Sequence, residues 1–442
     1  MIRSVILAVF GSLLAAPSAH LVMPYVVVSG ATQWQTTHAA QAVRRAGGTV
    51  VTSYPQVGVV IAYSSSSSFA GRVRRDVVAV GATRTAPVPV SYFAARRRVS
   101  YTGPPGFPTA PAEGTGWNLA AIGASGTRGS HSVTVGVLDT GVDDTHPDLD
   151  VDVGASVSCL SGWADRSFGA WRPTLDGHGT HVAGTISAVR NGSGVVGVAP
   201  GVRLASVKLA EVDDGETAES MVCGFVWAAE HGFRIVNNSY RSFPWRYNCP
   251  DQTDQAAILL AVGRAVAYAQ KRGVLVVSSG GNAGLDLLDR KEDSESPVEN
   301  PVYRSIDNSC IRLPHELPGV VGTSAIDESS VKATFSNYGI GKIHVAAPGV
   351  RVWSTWPGNA YWLASGTSMA APHTSAIAAL IASRHPRWSA AQIKAALFTG
   401  ASPTPCPVTY PVPQVCSSAA GQTSFYGYGV VNAYSAESSS GR

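Results

Sequence analysis

The sequence is poor in charged residues: only 14% of its 442 residues are Asp, Glu, Lys or Arg, whereas 45% are hydrophobic. Disordered chains combine high charge with low hydrophobicity, so this composition excludes disorder throughout. No run reaches the roughly 18 uncharged apolar residues that a membrane-spanning helix needs. With 46 glycines and 27 prolines, the chain is expected to be globular and rich in loops.

Acidic residues are almost absent from residues 1–98, which contain ten arginines and a single acid, Asp76. This part therefore carries a net charge of +9, and the remainder must carry −5 to give the chain's +4. Opposite charges of this kind favour docking of the front part onto the rest of the same chain. Nucleic-acid binding is the alternative, but the arginines are scattered without aromatic residues between them, so we predict no nucleic-acid partner.

Residues 1–19 have the pattern of an export signal, with an early arginine, an apolar run and small residues after it. We interpret them as a cleaved signal peptide and expect a secreted, extracellular protein with no stable membrane anchor. An uncleaved membrane anchor is the alternative interpretation.

Cysteine is also scarce, and all six residues follow the signal segment. An even number in an exported chain favours disulfides, and no pair has the close spacing of a zinc site. Cys406 and Cys416 are near enough along a Pro-rich loop to favour a local bridge. The other pairings stay open, with buried free thiols as the alternative.

Residues 20–84 alternate between β-rich and helical patterns, which predicts a separate α+β domain. Strands are predicted over 25–29, 49–52, 57–62 and 77–80, and helices over 33–46 and 68–75. Residues 85–116 are rich in proline and contain three consecutive arginines at 96–98, so we predict an extended linker that is easily cleaved.

From residue 117 to residue 442, short apolar segments alternate with helical ones, which predicts a parallel α/β sheet with helices on both faces. Strands are predicted over 133–138, 204–208, 235–238, 274–278, 320–325 and 343–346.

Three polar residues of this second part stand in glycine-rich surroundings: Asp139 in VLDTG, His178 in DGHGTH and Ser368 in SGTSMAAP. Taken singly, each has an ordinary structural interpretation, such as a turn cap or a helix N-cap. Taken together, they supply a hydroxyl, an imidazole that can accept its proton and a carboxylate that can orient the imidazole. His181 is interpreted as structural, because no acidic residue accompanies it at the spacing of a metal site.

The order Asp, His, Ser with these motifs resembles the subtilisin-like serine peptidase family. The resemblance runs from about Trp117 to Ala436 and includes VVGVAPGVRLASVKL, HVAAPGVRVWSTWPG and YGYGVVNAYSA. It implies a seven-stranded parallel sheet with helices on both faces. It also implies that Asp139, His178 and Ser368 form a catalytic triad that hydrolyses polypeptide substrates through an acyl-enzyme.

Further roles follow only from the resemblance. Asn282, in VVSSGGNAG, would donate to the oxyanion together with the Ser368 backbone N–H. The substrate-binding segments would be Ser239, Tyr240 and Arg241 on one side, and Ser279, Gly280 and Gly281 on the other. A structural calcium ion, not needed for the chemistry, would be held by Asp148, Val189, Asn191, Ser193 and Val195.

The sequence departs from the family at two places near the expected substrate path. Tyr240 and Arg241 stand where small or apolar residues are common, so we expect a crowded or charged pocket and do not transfer the family's apolar preference. Residues 285–299 look like an insertion with six acids and two bases. This insertion either selects basic substrates or is a solvated loop.

The front domain resembles the family's prodomain, which assists folding and blocks the cleft until it is removed. The resemblance therefore implies an autoprocessed zymogen whose prodomain is an intramolecular inhibitor; a separate substrate-binding module is the alternative for this domain. For the whole chain, two alternatives stay open: a catalytically silent binding protein, and a processing protease dedicated to one partner.

Overall fold

A computed structural model describes residues 20–94, 100–110, 112–113, 116–213 and 215–434. The described residues of the front part form a five-stranded antiparallel sheet with two helices on one face. The strands are Leu21–Val28, Thr49–Tyr54, Val59–Ser64, Ala79–Ala82 and Val88–Pro89, and the helices are Gln33–Arg45 and Phe69–Val73. The element types predicted for residues 20–84 are confirmed, with boundaries that differ by a few residues.

The first strand, Leu21–Val28, is apolar on both faces, and the structure buries both. Tyr25 and Val27 pack against the front part's own helices. Val26 and Val28, on the opposite face, join a cluster with residues of the second part of the chain. Because strand side chains alternate between the two faces, a strand without polar residues is typical of a sheet covered on both sides.

The second part contains a seven-stranded sheet in which every neighbouring pair is parallel, as predicted. In spatial order the strands are Val345–Pro348, Val321–Ile326, Leu275–Ser279, Ile235–Asn238, Thr134–Asp139, Arg203–Lys208 and Val157–Ser158. An antiparallel hairpin, Val352–Trp356 with Ala360–Ala364, lies outside this sheet.

Helices cover both faces of the parallel sheet. They are Trp117–Ala121, His178–Ser187, Ala218–Glu230, Thr253–Lys271, Thr367–Arg384 and Ala390–Thr399. One face packs on the helices that begin at His178 and Thr367, and the other packs on Ala218–Glu230 and Thr253–Lys271. The free face of the front sheet rests on this second pair of helices, so three layers share one apolar cluster.

All six cysteines form disulfides: Cys159–Cys223, Cys249–Cys310 and Cys406–Cys416. The expected local bridge between Cys406 and Cys416 is therefore confirmed. The other two bridges each join residues more than 60 positions apart, which is why spacing along the chain could not reveal them. In the part of the chain that the structure describes, no helix is long and apolar enough to cross a bilayer.

Candidate active site

The site lies at the edge of the sheet where the parallel strands end. Asp139 is the last residue of its strand, and the neighbouring strand Ile235–Asn238 is followed at once by Ser239. The next strand along, Leu275–Ser279, leads into the turn that carries Asn282. Because the carboxyl ends of parallel strands share one edge, residues far apart in sequence meet there.

Asp139 and His178 are directly paired. Asp139 is fully buried, and its Oδ1 lies 2.8 Å from Nδ1 of His178 and accepts the Thr140 N–H at 2.7 Å. His178 is the first residue of its helix, and its own N–H donates to the Asp176 carboxylate at 2.9 Å. The carboxylate therefore orients the ring so that Nε2 is left for a further partner.

The glycine that follows His178 is required for this approach. A Cβ at Gly179 would lie 2.5 Å from the Gly141 carbonyl oxygen and 3.1 Å from Oδ1 of Asp139. Any side chain there would push the helix start away from the strand end. The motif DGHGTH thus uses glycine because two backbone segments must meet closely at the Asp139–His178 pair.

The electrostatic surroundings favour the imidazolium form of His178. Burial alone would lower its pKa, but the Asp139 carboxylate, with further contributions from Asp213 and Asp176, outweighs burial and raises the pKa well above its ordinary value. A general base must be neutral, so we expect activity to be lost as the pH falls through this raised pKa.

Replacing Asp213 by asparagine is expected to move the acid limb of the pH profile of kcat/KM to lower pH. The substitution removes an anion that stabilises the imidazolium, so His178 becomes neutral at lower pH. The Asp289→Asn variant is the control, because Asp289 is exposed and pairs with Lys291 at the surface. An acid limb of Asp213→Asn that coincides with the wild-type limb would contradict this assignment.

Ser368 is the second residue of the helix Thr367–Arg384 and is only 6% exposed. Its hydroxyl donates to the Ser239 carbonyl at 2.8 Å, and the Ser239 hydroxyl donates back to the Ser368 carbonyl at 2.9 Å. Between the described side chains of Ser368 and His178 there is no hydrogen bond. Rotation about one Cα–Cβ bond would redirect the hydroxyl, and such contacts commonly tighten only when substrate binds.

The Asn282 side chain is held by the residue before Ser368. Its Oδ1 accepts from the backbone N–H of Thr367 at 2.8 Å and from the Thr367 hydroxyl at 2.7 Å. An N–H can only donate, so the amide must present its oxygen to Thr367. Nδ2 is thereby left as a donor, and a Cβ at Gly366 would lie 3.3 Å from Nδ2 and 3.6 Å from the Ser368 nitrogen.

A small pocket opens beside Ser368. It is lined by Asp213, Ser239, Tyr240, Arg241, Ser279, Gly281, Asn282, Arg312, Thr367 and Ser368. Five of the six residues predicted to bind substrate therefore meet here. The sixth, Gly280, lies behind the wall, where its N–H donates to the Thr323 carbonyl at 2.8 Å.

Tyr240 and Arg241, at which the pocket departs from the family, both form contacts with other residues of the protein. Tyr240 is 3% exposed, and its hydroxyl donates to Asn238 at 2.9 Å rather than reaching across the pocket. Arg241 forms an ion pair with Glu295 at 3.4 Å. Crowding by Tyr240 and selection by charge stay predictions, and an additional cation, Arg312, lines the pocket.

Arg312, Asp213 and Asp176 were not identified from the sequence. Asp176 could have been found, because it stands two residues before His178 in the same motif. Asp213 follows the strand Arg203–Lys208 at the carboxyl edge of the sheet, which is a usable signal. Arg312 belongs to no motif and lies 30 positions beyond Asn282.

The acidic insertion at 285–299 is largely engaged with its own chain. Asp293 is buried against Arg304, and Glu295 pairs with Arg246 as well as with Arg241. Because these two carboxylates form ion pairs with neighbouring arginines, this arrangement gives no support to the selection of basic substrates by the insertion.

The predicted calcium ligands include a single carboxylate, that of Asp148, which is fully buried. It accepts hydrogen bonds from the Asn191 side-chain amide and the Tyr361 hydroxyl, each at 3.0 Å, and from the Val195 N–H at 3.3 Å. Donors thus occupy both carboxylate oxygens, so the residues as placed do not fit a calcium ion. Calcium binding stays a prediction, and comparing the unfolding midpoint in calcium and in chelator would test it.

His181, three residues after His178, faces the interior. It is fully buried, its Nε2 lies 3.1 Å from the Val352 carbonyl oxygen, and burial lowers its pKa to about 3. Among the residues that the structure describes, no cluster of three His, Cys, Asp or Glu side chains could hold a metal ion. The structural interpretation of His181 fits this position.

Comparison with known proteins agrees with the fold. The family model of the subtilase family matches residues 130–429. Subtilisin BL of Lederbergia lenta is 34% identical over 330 residues, which cover 74% of this chain and 99% of that protein. M-protease of Shouchella clausii is 34% identical over 333 residues, 74% of this chain and 71% of that protein.

Two solved structures are similar. The epidermin leader peptide processing serine protease of Staphylococcus aureus has a TM-score of 0.72 at 21% identity, covering 95% of this chain and 99% of that one. A lanthipeptide protease has a TM-score of 0.56 at 28% identity, and the match covers 72% of this chain and 92% of that one. The chain belongs to the subtilase family. Within that family it is a serine-type endopeptidase that acts on polypeptides.

Proposed function

We propose that the chain cleaves peptide bonds with Ser368 as nucleophile, His178 as general base and Asp139 as the carboxylate that orients the imidazole. The observation that carries this proposal is the 2.8 Å contact between Asp139 and His178 at the edge of the sheet that also holds Ser368 and Asn282. A hydroxyl is a weak nucleophile until a neighbouring base removes its proton, and these residues supply that base.

In the proposed reaction, Oγ of Ser368 bonds to the substrate carbonyl carbon while its proton passes to Nε2 of His178. The negative charge that develops on the carbonyl oxygen is stabilised by Nδ2 of Asn282 and the N–H of Ser368. Collapse of the tetrahedral intermediate breaks the C–N bond, and His178 returns the proton to the leaving amine. Water then attacks the acyl-enzyme, again with His178 as base, and releases the acid and Ser368.

The front domain is proposed to be a prodomain that remains bound until the linker is cut. Its sheet rests on the helices Ala218–Glu230 and Thr253–Lys271. A buried ion pair joins Arg84 to Glu219 at 2.9 Å, and the Tyr54 hydroxyl donates to the Gly162 carbonyl at 2.7 Å. This ion pair is in keeping with the opposite net charges of the two parts.

The described linker residues before and after 95–99 both contact the second part of the chain. The Tyr92 hydroxyl donates to the Leu160 carbonyl at 2.6 Å, and the Thr102 N–H donates to the Thr174 carbonyl, two residues before Asp176, at 2.8 Å. The triple arginine at 96–98 lies outside the described residues. These contacts support a front domain and linker that stay attached to the second part in the uncleaved chain.

Export of the enzyme is part of the proposal. The predicted signal peptide, residues 1–19, lies outside the described residues, but three disulfides suit an oxidising compartment. We therefore expect the mature enzyme to act outside the cell.

Intact-mass analysis and N-terminal sequencing of the exported wild type and its Ser368→Ala variant would test the zymogen. We expect the wild type to lose roughly 65 to 95 residues beyond the signal, the length of the front domain with or without its linker. The Ser368→Ala variant should stay long. If the wild type and the Ser368→Ala variant are shortened equally, another protease makes the cleavage. If neither protein loses the front domain, the result argues against autoprocessing.

A dedicated processing protease is the second candidate. The narrow, charged pocket favours a restricted substrate range, and both similar solved structures are described as proteases with a peptide-processing or lanthipeptide role. Activity on an unrelated unfolded protein would argue for a broad endopeptidase, whereas cleavage of a few sequences alone would favour this alternative.

A further inference from the structure

The pocket beside Ser368 contains a buried cation that the proposed mechanism does not use. Arg312 lines this pocket and is only 3% exposed. Within the described residues, its guanidinium takes part in no hydrogen bond or ion pair, and its Nε is buried without a partner. The guanidinium carbon lies over the Tyr247 ring, 5.6 Å from the ring centre. A buried charge of this kind is costly unless a partner neutralises it.

The carboxylate of Glu316, four residues beyond Arg312, pairs with other cations and not with the Arg312 guanidinium. Glu316 accepts the backbone N–H of Arg312 at 2.9 Å. Its carboxylate also pairs with Arg290 at 2.5 Å and with Lys342 at 2.8 Å. Two cations, Arg290 and Lys342, thus pair with this buried carboxylate, and the Arg312 guanidinium has no ion pair with it.

The guanidinium lies against the wall of the pocket next to the reacting atoms. Gly281 has a φ of +99°, and a Cβ there would lie 2.6 Å from Nη2 of Arg312. Gly281 immediately precedes Asn282, the proposed oxyanion donor. The absence of a side chain at Gly281 therefore allows the cation to approach the position where a substrate residue would lie.

Among the described charged groups of the pocket, none forms a hydrogen bond or ion pair with the Arg312 guanidinium. Arg241 adds a second cation, which pairs with Glu295. Asp213 is the anion that lines the pocket, and it interacts electrostatically with His178. A carboxylate that enters the pocket beside Arg312 would be the group that satisfies the guanidinium.

The support for Arg312 is rigid. Cys310, two residues earlier, is joined by a disulfide to Cys249, and both pack with Tyr247 in one buried cluster. Arg290 and Arg312 lie over the same Tyr247 ring. A cation that is fixed in this way loses little conformational entropy when it binds a partner, which favours selective recognition.

We infer that Arg312 makes this pocket select an acidic side chain, Asp or Glu, on the acyl side of the scissile bond. The inference rests on the proposed function, because the pocket is identified by its position beside Ser368. Arginine binds carboxylates through paired, charge-assisted hydrogen bonds, and a substrate carboxylate would supply the missing partner. An arginine or lysine at the same substrate position would be repelled.

The test is a panel of internally quenched peptides that differ only at the residue before the cleaved bond: Glu, Asp, Gln, Leu or Arg. For the mature wild-type enzyme we expect kcat/KM to be about 10- to 100-fold higher for Glu than for Gln. In Arg312→Gln the ratio of Glu to Gln should fall to near one, while Arg312→Lys should retain part of it. Lys342→Gln is the control, because it removes a charge of the same cluster from outside the pocket.

The possible failures are distinguishable. If the wild type cleaves the Gln and Leu peptides as fast as the Glu peptide, the role of Arg312 is overturned and the proposed peptidase function stands. If Lys342→Gln abolishes the preference for Glu over Gln as fully as Arg312→Gln does, direct contact between Arg312 and the substrate carboxylate is overturned as its cause. If no peptide is cleaved and Ser368 does not react with a fluorophosphonate, the proposed function fails, and this inference fails with it. The wild-type ratio decides the question even if Arg312→Gln does not fold.

Discussion

Replacing Ser368 by alanine is expected to lower kcat for peptide hydrolysis by about 10⁶-fold, the size of the loss known for the corresponding change in subtilisin. The substitution removes the oxygen that forms the acyl-enzyme. Substrate binding should change little, because Ser239, Gly281 and Arg312 remain in the pocket. Single-turnover rates and binding of a peptide to the variant would measure the two effects separately.

The matched control for this prediction is a double variant. If Ser368 and His178 act as one unit, then Ser368→Ala with His178→Ala should be about as slow as Ser368→Ala alone. Losses that multiply would show independent roles and would contradict the proposed triad. A fully active Ser368→Ala enzyme would exclude this serine as the nucleophile.

Replacing Asn282 by alanine is expected to lower kcat by about 10² to 10³, with KM nearly unchanged; this magnitude comes from the subtilisin oxyanion asparagine. The amide is already oriented by Thr367, so its Nδ2 stabilises charge without first having to reorganise. The loss falls on kcat because the negative charge appears only in the transition state.

Thr367→Val provides the comparison for Asn282. It removes the hydroxyl that donates to Oδ1 of Asn282 at 2.7 Å but leaves the backbone N–H donation at 2.8 Å in place. A smaller loss of kcat than in Asn282→Ala is expected. A raised KM with unchanged kcat in Asn282→Ala would assign this residue to ground-state binding instead.

The parallel sheet could be predicted because its strands are short, apolar and separated by helical segments. The strand Ile235–Asn238 was predicted with the bounds that the structure has, and the others differ by one or two residues at an end. The two-residue strand Val157–Ser158 has too few residues to show a pattern, so the seventh strand was implied only by the family resemblance.

The candidate site could be predicted where residue type and motif coincide. Asp139 and His178 stand at strand and helix ends beside glycines, and these positions make their side chains available. The direction of the Ser368 hydroxyl could not be predicted, because it depends on a single rotation and on the Ser239 carbonyl.

Arg312 shows why the rest of the site required the structure. Whether an arginine is a paired surface residue or an unpaired cation in a pocket depends on which carboxylates lie around it. Glu316 is four positions away along the chain, yet its carboxylate is shared with Arg290 and Lys342. Only the three-dimensional arrangement shows that the Arg312 side chain is left facing the pocket.

The most direct test of the proposed chemistry is covalent labelling of the processed enzyme with a fluorophosphonate, followed by peptide mapping. An activated serine is phosphonylated, whereas an ordinary serine hydroxyl is not, since it lacks a neighbouring base. We expect one label per chain, at Ser368, and we expect this label to be lost in His178→Ala although Ser368 is still present. Labelling at another serine, or labelling of Ser368 that persists in His178→Ala, would contradict it.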